Sequence, residues 1–246
     1  MSLQERQEER FGWRSLAEAG VWTLCLAGIA TMVFVIGGVS DPGLPITLVA
    51  MLVGLALTTR RRKAGPITLL VTSGFLLAIA GFFALQVFLV PQSTLYFIVN
   101  VVFVVAGICT FAASVALIRG DEDSSRSIPR RVAIAAASVI GLLTIVALVV
   151  RFTYDEPARG SGDVTISADD NEFVPDRTDA GSGRVTVVVE NEDLSIHTFE
   201  IEDLDVSHYL PGGVRSEVTF DASPGTYEYF CAIPGHEDMK GTLQVR

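Results

Sequence analysis

Three side chains able to hold a metal lie within nine residues near the C-terminal end of the chain: Cys231, His236 and Met239, in the run Cys231-Ala232-Ile233-Pro234-Gly235-His236-Glu237-Asp238-Met239. His197 lies well upstream. Together they offer two imidazoles, one thiolate and one thioether. That set suits a mononuclear copper ion in a trigonal His2Cys site with a weak, long axial sulfur, which passes one electron at a time. Such a site needs its donors in a nearly fixed array, so they are expected at the ends of stiff strands and on a short loop.

The surrounding sequence supplies those elements. From about residue 164 the chain breaks into short alternating stretches, 164–166, 184–189, 198–201, 217–220, 226–230 and 242–245, each reading as a strand. Ala180-Gly181-Ser182-Gly183, Pro211-Gly212-Gly213 and Ser223-Pro224-Gly225 punctuate them as turns. Strands at this spacing predict a small β-sandwich. Cys231 then follows one strand, His236 and Met239 ride the loop before the last, and His197 falls just before another. Pro234 and Gly235 shape the loop, one fixing a backbone angle and the other freeing one.

These pieces carry a resemblance. Asn191 to Phe199, read as Asn-x5-His-x-Phe, the Pro-Gly-Thr-Tyr-x-Tyr-x-Cys run of 224–231 and the ligand loop ending in Lys240-Gly241-Thr242-Leu243 are similar to the cupredoxins, the fold of plastocyanin, amicyanin and rusticyanin. The resemblance covers 164–246. It implies an all-β Greek-key sandwich holding one type 1 copper ion, cycling between Cu(I) and Cu(II), on His197, Cys231, His236 and Met239. The Cys-x4-His half resembles rusticyanin and the His-x2-Met half amicyanin, so Met239 is the least securely matched ligand. An axial thioether is replaceable in any case.

Other reactive side chains have plainer readings. Cys231 is the single Cys beyond the apolar first part of the chain, with no disulfide partner in its own domain. His208, in Val206-Ser207-His208-Tyr209-Leu210, has no partner spacing and reads as a surface or loop residue. Cys25 and Cys109 lie in apolar runs and read as packing.

The rest of the chain is of another kind. Of 246 residues, half are hydrophobic. Residues 1–151 carry 12 basic side chains against 8 acidic, and 152–246 carry 6 against 20, a balance of about +4 and −14. Five apolar runs, about 19–39, 44–59, 67–90, 95–118 and 132–150, approach or exceed the ~17–25 residues of a membrane-spanning helix. The second is short and starts at Pro45. No removable signal peptide is expected, because the first run is long, lacks a clear small-residue cleavage site and is followed by more spans.

Arg6, Arg10 and Arg14 precede the first span, Arg60-Arg61-Arg62-Lys63 separate the second from the third, and Arg119, Arg126, Arg130 and Arg131 the fourth from the fifth. The alternate connections, at Asp41-Pro42-Gly43 and Pro91-Gln92-Ser93, carry no basic residue. The positive-inside rule then puts the N-terminus in the cytoplasm and, after five spans, the acidic domain outside a cell membrane. The expected organisation is a cytoplasmic N-terminal segment 1–18, a five-span α-helical bundle 19–151, a linker 152–163 and the copper domain 164–246. Gly74, Ala78 and Gly81 are spaced for close helix packing. The expected spans hold no His, and no acid, Lys or Arg away from their ends, so bis-His haem ligation within them is excluded and a charged proton relay is not expected.

Together these point to a membrane-anchored electron-transfer protein, not an enzyme, serving a redox partner protein. A copper-delivery module without redox cycling and an accessory subunit of a respiratory redox complex are the alternatives. A dinuclear oxidase centre needs a second loop Cys, and position 232 is Ala; a copper nitrite reductase needs a second domain and a further His. The outer charge suits either a basic partner or solubility, and it argues against nucleic acid.

Overall fold

The computed structural model describes residues 11–35, 43–121 and 127–246. Arg6, Arg10, Asp41, Pro42 and Arg126 of the orientation argument, and residues 1–10 of the expected N-terminal segment, lie outside the described residues. The chain divides into two compact units, one largely helical and one, from Ala147 with Leu89–Phe97, that contains all the strands among the described residues.

Among the described residues the helical part comprises α1 (Trp13–Ala30, continued by a π-helical turn Thr31–Val35), α2 (Gly43–Thr59), α3 (Ala64–Leu89), α4 (Thr94–Arg119) and α5 (Ser127–Thr153). Four of these are long and apolar enough to cross a membrane, and α2, with 17 residues, is the shorter one. In α1 the buried residues Leu16, Ala17, Gly20, Val21, Leu24, Ala27 and Gly28 recur every three or four positions and form one face. Close approaches occur where that face has no side chain: a Cβ on Gly20 would fall 2.2 Å from Thr110 Oγ1, and one on Gly28 2.7 Å from Leu48. The expected packing set behaves differently, since a Cβ on Gly74 would make ordinary contact with Phe111 and one on Gly81 would meet open space. Buried hydroxyls satisfy themselves on their own helix, Ser73 donating to Leu69 O at 2.6 Å and Thr110 to Ala106 O at 2.9 Å.

The second unit is a β-sandwich. One sheet has the order β2-β1-β4-β7 and the other β3-β9-β8-β5-β6, from β1 (Val164–Asp169), β2 (Glu172–Val174), β3 (Arg177–Ala180), β4 (Gly183–Asn191), β5 (His197–Ile201), β6 (Val206–Leu210), β7 (Val214–Ala222), β8 (Gly225–Phe230) and β9 (Lys240–Val245). The pairs β1–β4 and β3–β9 are parallel and the other paired strands antiparallel. Strands β2, β3 and β6 are not evident in the apolar pattern. The first two are short or polar edge strands, and β6 shows solvent Ser207 and His208, so the loop reading of His208 is corrected to an exposed position on an edge strand.

The core between the sheets takes Val185, Val187 and Val189 from alternate positions of β4, with Ile166, Phe199, Ile201, Tyr229 and Leu243. Tyr229 is fully buried, stacks on Phe199 at 5.2 Å, meets Phe173 edge-on and donates its hydroxyl to Pro175 O at 2.9 Å. Gly241 is needed beneath it, because a Cβ there would sit 2.4 Å from the phenol ring. Residues 152–163, expected as a linker, are tied down on the strand side: Tyr154 donates to Arg215 O at 2.8 Å, Glu156 pairs with Arg151 and Arg215, and Arg159 pairs with Glu190.

Candidate metal centre

Two of the candidate ligands, His197 and Cys231, are placed by strand ends, and a third, Met239, directly precedes a strand. His197 is the first residue of β5 and Cys231 the residue after β8, and β5 and β8 are hydrogen-bonded neighbours. The loop from Cys231 to Met239 closes on itself: Cys231 N–H donates to Met239 O and Met239 N–H to His236 O, both at 2.9 Å, and His236 N–H to Ile233 O at 3.1 Å. Gly235 sits in this loop at φ +94, a conformation that favours glycine. The loop is thus a short, internally bonded bridge between β8 and β9.

The two imidazoles and the thiol converge. His197 Nδ1 lies 3.1 Å from His236 Nδ1, and Cys231 Sγ lies 3.9 Å from the first and 3.6 Å from the second. A planar three-donor site with bonds of about 2.0 Å to nitrogen and 2.3 Å to sulfur has edges of roughly 3.5–3.7 Å, so the donor set fits one ion with small adjustments. His197 is fully buried and Cys231 nearly so, whereas His236 is half-buried. Met239, the fourth expected ligand, is buried in the core cluster that contains Cys231.

Electrostatics favour a ligating sulfur. Burial opposes ionisation of Cys231, but the facing His197 and His236 imidazoles and the Thr198 and Ile233 amides outweigh it and hold the thiol at about 6. Thr198 N–H lies 3.4 Å from Sγ, and Thr198 Oγ1 accepts Ala232 N–H at 2.8 Å, tying β5 to the start of the loop. Burial also opposes charge on His197, yet Asp193, then Cys231, raise it above its ordinary value.

The turn before His197 is equally fixed. Asn191, 1% exposed, donates to Ser195 O at 3.0 Å and Leu210 O at 2.9 Å and accepts Asp193 N–H at 3.1 Å. Asp193 Oδ2 lies 2.8 Å from His197 Nε2. Spacing alone did not reveal Asp193 or Thr198 as neighbours of the site; the one available signal was an acid four residues before the candidate His.

Residues 141–245 match the family model described as "Cupredoxin-like domain". The C-terminal part of this chain is a cupredoxin-like domain. The matched range begins inside α5, ahead of the first strand of the cupredoxin-like domain. Among solved structures, a copper-containing nitrite reductase from Thermus scotoductus SA-01 is 27% identical over 37% of this chain, with a TM-score of 0.29. The chain spans 25% of that reductase's length. A methionine-to-alanine variant of amicyanin in the Cu(I) state is 14% identical over 38% of this chain and 95% of its own, with a TM-score of 0.30. A copper-binding protein solved in the apo form by NMR is 16% identical over 37% of this chain and 96% of its own, with a TM-score of 0.31. No curated protein matches the chain. In this cupredoxin-like domain His197, Cys231 and His236 form a candidate type 1 copper site.

Proposed function

We propose that this protein is a membrane-anchored, mononuclear copper electron carrier whose copper domain faces the extracytoplasmic side. The observation that carries this reading is the meeting of His197 Nδ1, His236 Nδ1 and Cys231 Sγ within 4.8 Å of one another at the end of a rigid sandwich. Bound copper would supply the one-electron change between Cu(I) and Cu(II). The chain's part is to hold one donor geometry through that change: strand ends fix His197 and Cys231, the self-bonded loop fixes His236, and Met239 would add a weak thioether donor. His236, the half-buried ligand, is the side for exchange with a partner protein.

Five spans support the sidedness. The 17 residues of α2 rise about 26 Å, near the ~30 Å hydrocarbon thickness, and Arg60 to Lys63 follow it as a basic connection. On this reading 1–18 is cytoplasmic, 19–151 forms the membrane part, and 152–163 leads to an extracytoplasmic domain at 164–246. The outer acidic charge would steer a basic redox partner, with a salt-sensitive encounter rate.

Cu(II) added to the purified full chain in detergent is expected to give an intense thiolate-to-copper absorption toward the red end of the visible, lost in Cys231→Ser. A colourless Cu(II) complex refutes the type 1 assignment. Reversible voltammetry supports a carrier, and rapid release of copper to an acceptor without reversible cycling refutes it.

A further inference from the structure

Both oxygens of the Asp193 carboxylate are held. Its Oδ1 accepts Asp170 N–H at 3.0 Å and its Oδ2 accepts Asn171 N–H at 3.1 Å. Those two amides belong to the two-residue turn between β1 and β2, where Asp170 and Asn171 both take positive φ, as a tight hairpin of this kind requires. The backbone N–H of Asp193 is itself bound to Asn191 Oδ1. A carboxylate fixed in this way cannot swing away, and its Oδ2 also faces His197 Nε2 at 2.8 Å.

We infer that Asp193 is a positioning residue for the metal centre: it selects the His197 tautomer that leaves Nδ1 free to ligate, and its charge stabilises the oxidised site. This rests on the copper reading above. A carboxylate only accepts, and at 2.8 Å from Nε2 it draws the proton of a neutral His197 there in preference to the Cys231 sulfur at 3.9 Å from Nδ1, so the Nδ1 lone pair faces His236 and Cys231. The competing partner of Nε2 is Ser195 Oγ at 3.4 Å, which can donate as well as accept. With Asp193 gone, Ser195 can hydrogen-bond a bare Nε2, and the proton then moves to Nδ1, where it blocks ligation. The negative charge beside the imidazole makes His197 a more basic ligand and favours the more positive copper state, lowering the potential.

The test uses the full chain in detergent with 15N-labelled histidine, which gives signals from three residues only, His197, His208 and His236. In the copper-free protein, at a pH high enough to keep the His197 imidazole neutral, His197 is expected as the Nε2–H tautomer. Asp193→Ala should give mixed tautomers and weaken Cu(II) binding about 10–100-fold. Asp193→Asn, which keeps an acceptor but not the charge, should keep the tautomer and raise the potential, and Asp193→Glu should move the potential back toward wild type. Ser195→Ala should leave the wild-type tautomer unchanged. The inference is overturned if Asp193→Ala keeps the Nε2–H tautomer and wild-type affinity, or if Asp193→Asn leaves the potential where it was. A wild-type complex that lacks the thiolate band overturns the copper-carrier reading instead, and leaves the copper-free tautomer result standing.

Discussion

Asn191→Ala should loosen the ligand-bearing turn and destabilise the domain by about 3–5 kcal/mol. Asn191 makes three hydrogen bonds, two of them to the carbonyls of the buried residues Ser195 and Leu210. Alanine satisfies neither carbonyl, and an orphaned buried polar group costs about 1–3 kcal/mol. The Asp193 amide, half-buried, recovers part of its loss from water. A domain of this size has a total stability of roughly 4–12 kcal/mol, so the variant should sit close to unfolding. Cys231 offers a local readout, since it is 4% exposed and the other two cysteines lie in α1 and α4. Thiol-alkylation rate at Cys231 against urea, read by peptide mass in the copper-free protein, reports opening of the domain. Asn191→Asp is the control, because it keeps the size but turns an oxygen toward both carbonyls, and it should be no more stable than the alanine variant. An opening free energy within about 0.5 kcal/mol of wild type for Asn191→Ala, or tolerance of Asn191→Asp, would refute the reasoning.

Met239 should separate packing from ligation. Met239→Leu conserves volume and should cost under about 1.5 kcal/mol, keep copper binding and shift the potential; Met239→Ala, at a residue 1% exposed, should cost about 2–5 kcal/mol. Urea titration and voltammetry on both variants check this, and an unmoved potential in Met239→Leu would remove Met239 from the site. The Cys231 thiol of the copper-free protein should titrate near 6 and not near its ordinary 9.0, measurable from the pH dependence of its 13Cβ shift. Because its folded pKa lies below the unfolded one, its contribution to stability is full above about 9.0 and fades as pH falls toward 6. A midpoint near 9.0 would show that the two imidazoles do not face the sulfur.

The candidate ligands were legible because ligand spacing is a local property. Cys231, His236 and Met239 share one loop, and a loop of that length between two strands forces its side chains into one neighbourhood whatever the remaining fold. The strands of the core were legible for a related reason: Val185, Val187 and Val189 recur at every second position because that face of β4 packs into the core. Edge strands do not obey that rule. Arg177–Ala180 and Val206–Leu210 pair through backbone groups while most of their polar side chains meet water and Leu210 alone is fully buried, so hydropathy had little to record.

By itself, the sequence determined a chain of two textures, a set of apolar helices able to cross a membrane and an acidic β-domain with a donor set suited to copper. Hydrophobic run length and side-chain chemistry are written residue by residue. Tertiary structure alone decided that His197 comes beside Cys231 across the β5–β8 pair, that Thr198 binds the sulfur, and that Asp193 reaches both the β1–β2 turn and the far nitrogen of His197. Apart from the Asp193–His197 contact, which spans four residues, those contacts join segments some 22–34 residues apart, and only strand pairing and register bring them within hydrogen-bonding distance.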